Sequence, residues 1–338
     1  MTGMTVTRQI SSGTGLQLGV LSAATFGTSG AFAASLLESG WTPGAAVTVR
    51  VVVAMVVLAV PALLQLRGNL GRLRRGAGTM LFYGVAAVAG AQLCYFNAVQ
   101  HLPVAVALLL EYSGALLVVL WMWARRGQRP RALTVGGGAL SLVGLVLVLD
   151  LVGNLTLEPV GVLWGLGAAV GLATYFVLSA ETDDALPPLV VAWGGLAVGG
   201  AVLLLAAASG LMPFAVTTGD VTLLDTPVSW LVPVLGLSLV GAVVAYVAGI
   251  VAARTLGAKV ASFVGLTEVL FAVAFAWLLL GQVLTPAQLA GGLLVVGGVA
   301  LVRVDELRST AEAPVPPPHS DVIIRGALHD ERSALDVG

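Results

Sequence analysis

The fold is decided by one stretch of the chain, ASFVGLTEVLFAVAFAWLLLGQVLTPAQLAGGLLVVGGVAL, which spans Ala261–Leu301. It consists of two long apolar runs separated by Gly281-Gln282 and Pro286, and its one ionisable side chain is Glu268. A membrane-spanning helix needs about 20 mostly apolar residues. The stretch therefore predicts two transmembrane helices joined by a short turn.

The composition of the whole chain agrees with this stretch. Of its 338 residues, 58% are hydrophobic and 10% are charged, and the mean hydropathy is +1.00. A soluble domain carries about 25% charged residues, so the composition argues against a soluble enzyme. The net charge of −1 leaves no large basic surface for nucleic acid. The single cysteine, Cys94, can form no internal disulfide.

Ten apolar runs of suitable length divide the chain, with turn residues such as Pro43, Pro187-Pro188 and Gly257 between them. A run such as Val51–Val60 does not alternate apolar and polar residues as the strands of a membrane barrel do, so the runs are interpreted as helices. We number them 1 to 10 in chain order: 16–37, 45–66, 79–100, 103–124, 132–151, 159–180, 188–209, 228–253, 259–280 and 286–304. The predicted fold class is an all-α integral membrane protein with ten transmembrane helices.

The two ends of the chain need separate interpretation. Arg8, the apolar run after it and Ala31-Phe32-Ala33 are similar to a cleavable signal peptide. We interpret this run as an uncleaved first helix, because cleavage would destroy the internal repeat described below. Residues 305–338 contain four prolines and mixed charges, which is typical of disorder. We therefore predict an N-terminal tail over 1–15 and a disordered tail over 305–338.

The charges predict the orientation, because Lys and Arg are enriched in cytoplasmic loops. If ten helices alternate across the membrane, 15 of the 16 basic residues fall on one side, and the remaining one is Arg50. The opposite loops carry five acidic residues: Glu38, Asp150, Glu158, Asp220 and Asp225. Both termini are thus predicted to be cytoplasmic. Fifteen Arg to one Lys, with abundant Ala and Gly, indicates a high-GC bacterium and hence the plasma membrane.

An internal repeat relates the two halves of the chain. Shifting the sequence by 154 positions gives 14 identities over the 47 positions 102–148, including Trp123 with Trp277 and Gly127-Gln128 with Gly281-Gln282. Helix 4 then pairs with helix 9, and helix 5 with helix 10. Each half has five helices, so the second half enters the membrane from the other side. Inverted repeats of this kind are typical of secondary transporters with a substrate site between the halves.

The stretch Ala261–Leu301 resembles the end of an EamA repeat of the drug/metabolite transporter (DMT) superfamily. The resemblance extends over about 16–304 and divides the chain into two EamA repeats, over 16–155 and 156–304. It implies a ten-helix exporter or importer of small metabolites with a central cavity between the halves. Arg50, seven residues after Pro43, is similar to an Arg common in the second helix of that family.

The chain departs from the pattern of that family at two positions near the end of the repeat. Val269 follows Glu268 where the family often has Pro, which predicts a straighter helix 9. Gly281-Gln282 stands where the family often has Gly-Glu. The missing carboxylate removes any role that the family assigns to that position.

Two carboxylates lie near the predicted centre of the membrane. Glu111 is eight residues into helix 4 and Glu268 nine residues into helix 9. An ionised group there costs about 2.5–3.5 kcal/mol on insertion scales, so each must be neutral, paired or facing water. In the repeat frame their counterparts are Gly265 and Gly114, which puts a carboxylate and a small residue on one helix face in each half. The pair either couples protons or binds a cation, or it donates interhelical hydrogen bonds.

The remaining site candidates are polar side chains within the helices. Arg50 lies about 9 Å from the outer end of helix 2, at about 1.5 Å per residue, and either extends outward to water or pairs with a carboxylate or an anionic substrate. The other candidates for a substrate and proton pathway are Gln92, Tyr95, Tyr112, Tyr246 and Thr267, with weaker ones at Thr25, Ser29, Ser113, Thr174 and Tyr175. These side chains either line a cavity or form ordinary interhelical hydrogen bonds.

Two other functions, an intramembrane serine protease and a passive channel, are alternatives to transport. Gly27-Thr28-Ser29-Gly30 matches the Gly-x-Ser-Gly string of rhomboid proteases, but a serine nucleophile needs a histidine base, and the one candidate, His101, lies at an outer loop. A passive channel would need a ring of like groups, which two Glu do not provide. No motif for a metal, nucleotide or other cofactor is present.

The sequence therefore predicts a secondary active transporter and no enzyme. We expect a proton-coupled exporter of amino acids or similar small metabolites, with protons, the substrate and the lipid bilayer as its partners. The sequence leaves monomer and homodimer open.

Overall fold

The structure is a computed structural model that describes residues 11–66, 70–102, 104–151, 158–181, 186–223, 226–280 and 285–311. Its helices are α1 Ser12–Gly27, α2 Ser29–Glu38, α3 Pro43–Leu66, α4 Leu70–Phe82, α5 Ala91–His101, α6 Val104–Tyr112, α7 Gly114–Arg126, α8 Ala132–Val148, α9 Pro159–Glu181, α10 Pro188–Ala208, α11 Leu231–Leu235, α12 Ala245–Gly265, α13 Thr267–Leu280 and α14 Pro286–Ala311. Two π-helical segments, Tyr83–Gly90 and Gly236–Val244, join α4 to α5 and α11 to α12. Strands β1 Asp220–Leu223 and β2 Thr226–Ser229 form an antiparallel hairpin.

The described residues contain eight helical stretches that are long and apolar enough to cross a membrane, and the shorter apolar helix Ala132–Val148. The protein is therefore an all-α integral membrane protein, and the count of ten helices stays a prediction. One stretch, Leu231–Gly265, includes the predicted boundary between helices 8 and 9. The backbone at Gly257 has φ 77° and ψ 159°, in the left-handed region that favours glycine, so the helix is broken there.

The structure corrects the predicted limits of both tails. Helix α1 already begins at Ser12, where the Ser11 hydroxyl accepts a hydrogen bond from the Thr14 N–H and caps the helix. Helix α14 continues to Ala311, and Asp305 is buried at 2% exposure. The predicted start of the disordered tail at 305 is therefore wrong, because Asp305 contacts helices α8 and α12. Residues 1–10 and 312–338 lie outside the described residues.

The two halves share local structure at the 154-residue offset. The π-helical segments Tyr83–Gly90 and Gly236–Val244 occupy nearly equivalent positions. The Ser113 hydroxyl donates to the Leu110 carbonyl at 2.5 Å. The equivalent Thr267 hydroxyl donates to Val264 at 2.6 Å. Equivalent helices of the two halves also pack on each other: α3 packs on α10, and α8 packs on α14. The opposite orientation of the two halves in the membrane stays a prediction.

Helix 9 is interrupted at Leu266, between α12 and α13, and the same kind of break at Ser113 separates α6 from α7. The straighter helix expected from Val269 stays a prediction, because Leu266 itself keeps right-handed helical backbone angles. The break requires no proline, because a Ser or Thr hydroxyl that bonds a carbonyl of the preceding turn competes with the helix and bends it.

Glycines bring several helices into backbone contact. A Cβ on Gly144 of α8 would lie 2.6 Å from the Gly291 carbonyl of α14, and a Cβ on Gly137 would lie 2.7 Å from the Gly298 carbonyl. A Cβ on Gly27 of α1 would lie 2.9 Å from the Ala272 nitrogen of α13. Small residues at helix contacts allow this close approach in membranes. These glycines therefore set the spacing between α8 and α14 and between α1 and α13.

Candidate functional site

A cavity of about 460 Å³ lies at the centre of the helices, between elements from both halves of the chain. Its lining extends from Gly19 and Ala252 to Leu37, Pro43 and Val104, which lie at the ends of helices that meet the predicted outer face. Its polar and ionisable lining consists of Ser22, Ser29, Arg50, Gln92, Tyr95, Glu111, Tyr112, Tyr175, Tyr246 and Glu268. The cavity is therefore the one place described where carboxylates, a guanidinium and phenols converge.

Both predicted carboxylates line this cavity, one on each side of equivalent helix breaks. Glu111 lies in the last turn of α6, and Glu268 in the first turn of α13. Both are partly exposed, and the exposed surface faces the cavity. The hydroxyl of Tyr112, next to Glu111 in the chain, is within hydrogen-bonding reach of the Glu268 carboxylate. The breaks and Tyr112 thus bring the two halves together at the carboxylates.

The two glycines that correspond to these carboxylates in the repeat have different surroundings. Gly265 lines the cavity, and a Cβ there would lie 2.7 Å from the Phe176 ring. A Cβ on Gly114 would instead lie 2.6 Å from the Ala169 carbonyl of α9. The expectation that each half presents a carboxylate and a small residue on the same face therefore fails for Gly114, because α9 packs directly against the start of α7.

Arg50 lines the cavity. Its guanidinium carbon lies 5.5 Å from the centroid of the Phe26 ring, a cation–π contact. Phe26 packs edge-on against Tyr246, with 5.2 Å between ring centroids. Within the described residues, Arg50 forms no ion pair, and its buried Nε has no hydrogen-bond partner. Arg50 shares the lining of the cavity with Glu111 and Glu268.

The other predicted residues divide into two groups. Gln92, Tyr95, Tyr112 and Tyr246 line the cavity. Thr267 is not among the lining residues, because its hydroxyl bonds the Val264 carbonyl at the helix break. Of the weaker candidates, Ser29 and Tyr175 line the cavity, whereas Thr25, Ser113 and Thr174 bond carbonyls of their own helices: Leu21 and Ser22, Leu110, and Val170, respectively.

Aromatic rings and one serine were missed by the sequence reasoning. Seven aromatic side chains among the described residues line the cavity, and the three phenylalanines, Phe26, Phe96 and Phe176, were not proposed. Ser22, also missed, donates to the Ala245 carbonyl at 2.8 Å. Phe96 and Phe176 each follow a tyrosine that was proposed, and this adjacency is the one signal in the sequence that could have indicated them.

Ser29 and His101, the residues of the protease alternative, lie in different environments. A Cβ on Gly241 would clash with the Ser29 hydroxyl, which places that hydroxyl against the π-helical segment Gly236–Val244. His101 Nδ1 instead lies 3.1 Å from Glu158 Oε2, and His101 is not among the residues that line the cavity. Among the described residues, no histidine is therefore placed to act as a base for Ser29.

A polar cluster lies at the opposite end of the helices from Pro43 and Val104. Lys259 Nζ is 2.5 Å from Glu306 Oε2 and 3.9 Å from Asp305 Oδ2. The Thr134 hydroxyl donates to the same Asp305 oxygen at 2.5 Å. Nearby in the sequence, Arg254 donates to the Leu186 carbonyl at 2.8 Å. The contacts of Lys259 and Thr134 with α14 join α8, α12 and α14.

Comparisons with known proteins agree with the fold. The chain is 29% identical over 207 residues, 61% of its length and 70% of the relative, to an uncharacterized transporter of Archaeoglobus fulgidus. It is 26% identical over 243 residues, 71% of its length and 77% of the relative, to the uncharacterized inner membrane transporter YicL of Salmonella typhimurium. A solved crystal structure at 20% identity covers 88% of this chain and 98% of its own, with a TM-score of 0.69, which shows a shared fold.

The model of the EamA-like transporter family matches two stretches, 13–150 and 159–304. Together these stretches contain every helix that contributes to the cavity. This protein belongs to the EamA-like transporter family.

Proposed function

We propose that this transporter is a proton-coupled exporter of amino acids or similar small metabolites in the bacterial plasma membrane. The observation that carries the proposal is the convergence of Glu111, Glu268 and Arg50 on one cavity between the two halves. Carboxylates inside a membrane protein mark proton and ion pathways, because a buried charge is retained at a cost. Both termini are proposed to be cytoplasmic, from the distribution of Lys and Arg.

Coupling requires that protons and substrate compete for the same carboxylates. In such an antiporter, protons that enter from outside bind Glu111 or Glu268 and displace the cationic group of the substrate. The cavity lining reaches the predicted outer face at Leu37, Pro43 and Val104, and it also includes Ala252 and Ala261 of α12. A path to the outer face would let substrate leave outward and protons enter.

Everted membrane vesicles with an acidic interior test the proposal. Wild-type protein should accumulate labelled amino acid in the vesicles, and Glu268→Gln should abolish this accumulation, because Gln keeps the shape but cannot titrate. Glu111→Gln should act similarly or change the pH dependence. Glu158→Gln is the matched control, since that carboxylate is exposed and lies outside the cavity.

A second measurement separates coupling from binding. In proteoliposomes without a pH gradient, exchange of labelled for unlabelled amino acid requires binding and conformational change but no net proton movement. A coupling residue should lose gradient-driven uptake and keep this exchange. If both Gln variants only form hydrogen bonds, they will transport at near-normal rates. Normal pH-dependent uptake by the Glu111→Gln/Glu268→Gln double variant would refute proton coupling through these residues.

A further inference from the structure

Two polar groups of cavity-lining residues, one on α2 and one on α3, lack hydrogen-bond partners within the part of the chain that the structure describes. Among the described residues, the buried Nε of Arg50 and the buried hydroxyl oxygen of Ser29 have no hydrogen-bond partner. Both residues line the cavity. Buried polar groups in folded proteins are nearly always hydrogen-bonded, so an unpaired one calls for an explanation. Both atoms are covered in this structure, so a ligand in the cavity would supply the missing partner once the two side chains turn toward it.

The surroundings of Arg50 fix what kind of ligand it can accept. Phe26 lies beneath the guanidinium, at 5.5 Å from ring centroid to Arg50 Cζ. Ser29 follows Phe26 by three residues, so the two share one face across the junction of α1 and α2. The guanidinium presents several N–H donors in a planar fork that matches a carboxylate, and the serine hydroxyl adds another donor. This side of the cavity is therefore a donor-rich site for an anion.

Another part of the lining has the complementary chemistry. Glu111 and Glu268 line the cavity from α6 and α13. Phe26, Tyr246 and Tyr175 belong to the same lining and form a continuous series of ring contacts, with centroids 5.2 Å and 5.8 Å apart. The cavity thus has a cationic pole, an anionic pole and an aromatic wall. A zwitterion with an apolar body satisfies all three.

We infer that Arg50 and Ser29 bind the carboxylate of the substrate, and that the substrates are α-amino acids with apolar or aromatic side chains whose ammonium group faces Glu111 and Glu268. This inference rests on the proposed function and deepens it. Arg50 then selects carboxylated substrates, whereas Glu268 couples transport to protons. An amine that lacks the carboxylate should bind weakly, because it leaves Arg50 and Ser29 unpaired.

Matched ligand pairs test this assignment in proteoliposomes. Each pair differs by the carboxylate alone: L-leucine and 3-methylbutylamine, and L-phenylalanine and 2-phenylethylamine. The readout is the concentration that half-inhibits exchange of labelled L-leucine or L-phenylalanine. Wild-type protein should bind each amino acid at least tenfold more tightly than its amine. Equal inhibition by both members of each pair would overturn the inference.

Substitutions then locate the carboxylate site. Arg50→Gln should raise the half-inhibitory concentration of the amino acids at least tenfold and leave that of the amines within twofold. Ser29→Ala should produce a smaller change in the same direction, about threefold. Arg129→Gln is the charge-matched control, because Arg129 is exposed and does not line the cavity.

The outcomes distinguish this inference from the proposed function. Equal weakening of amino acids and amines by Arg50→Gln would show that Arg50 supports the cavity and binds no carboxylate, even if Glu268-dependent proton coupling persists. If Arg50→Gln fails to fold, the comparison of amino acids with amines in wild-type protein and in Ser29→Ala still tests whether the cavity binds the carboxylate. Loss of proton coupling with intact carboxylate selection would refute the proposed energy source alone.

Discussion

At the residue scale, Lys259 shows how a charged side chain is accommodated at a helix junction. It is the only lysine in the chain, and its ammonium group contacts Glu306 and Asp305 on α14. Asp305 is buried, and it also accepts the hydrogen bond from Thr134 on α8. Removing one partner from such a cluster leaves a buried charge without compensation. The cluster therefore holds together α8, α12 and α14.

We predict that Lys259→Met lowers stability, because Asp305 loses its cationic partner. The expected loss is about 1–3 kcal/mol, the typical cost of an unsatisfied buried polar group. Thermal unfolding of the purified protein in detergent measures the effect. Lys259→Arg, which keeps the charge, should lie much closer to wild type. An unchanged unfolding temperature for Lys259→Met would show that this ion pair contributes nothing to stability.

At the element scale, the packing of α8 on α14 depends on two glycine contacts. Gly144 and Gly291 each approach the other's carbonyl oxygen, at 2.6 Å from the position of a built Cβ in both directions. Gly136, on the same helix α8, is exposed and has nothing within 4 Å of its Cβ position. The two positions differ in packing and share the same helical backbone, which makes them a matched pair.

We predict that Gly144→Ala destabilises the protein by about 1–3 kcal/mol, the usual cost of overpacking a close contact. Gly136→Ala should be neutral or stabilise the helix by up to about 1 kcal/mol, because Ala has the higher helix propensity. Unfolding temperatures of both variants, measured side by side, check the difference. Equal unfolding temperatures would show that α8 and α14 can move apart without cost.

At the scale of the whole molecule, the cavity depends on the way the two halves pack together. Helix α1 contacts α12 and α13 of the second half, and α9 contacts α5, α6 and α7 of the first half. Each half thus packs its first helix against the third and fourth helices of the other. Glu111 and Arg50 come from the first half and Glu268 from the second. Glu268 therefore joins the other two side chains in the cavity only because the two halves pack together in this way.

The predicted topology can be tested with single cysteines in a Cys94→Ala background. Cysteines at positions 71 and 153 should be labelled from opposite sides of the membrane by an impermeant thiol reagent. Gly153→Cys should react in intact cells, and Gly71→Cys only after permeabilisation, because the basic loop near Gly71 is predicted to be cytoplasmic. Labelling of both positions from the same side would contradict the ten-helix count.

The sequence alone predicts those features that depend on local composition. Apolar runs of about 20 residues indicate helices. The 154-residue offset links equivalent hydroxyls at Ser113 and Thr267, which both bond carbonyls at helix breaks. The depth of Glu111 and Glu268 in apolar runs marks them as residues retained at a cost. Membership of the EamA-like transporter family agrees with the prediction of a membrane transporter.

The direction in which a side chain points was not predictable from local composition. Thr267 precedes Glu268, yet its hydroxyl is used by the helix break, whereas Phe26 resembles any apolar core residue in the sequence and lies beneath Arg50. Asp305 was assigned to a disordered tail, but contacts with Lys259 and Thr134, distant in the chain, hold it in a helix.

The sequence by itself determined that this chain crosses the membrane many times as helices and that two carboxylates and Arg50 lie within apolar segments. These properties follow from the free energy of transfer of each segment, which depends on composition alone. Only the tertiary structure decided that the three side chains share a cavity with seven aromatic rings of the described residues. Helix rotation and contacts between distant segments decide which face lines a cavity, and in a membrane these depend on close packing among helices that are apolar on every side.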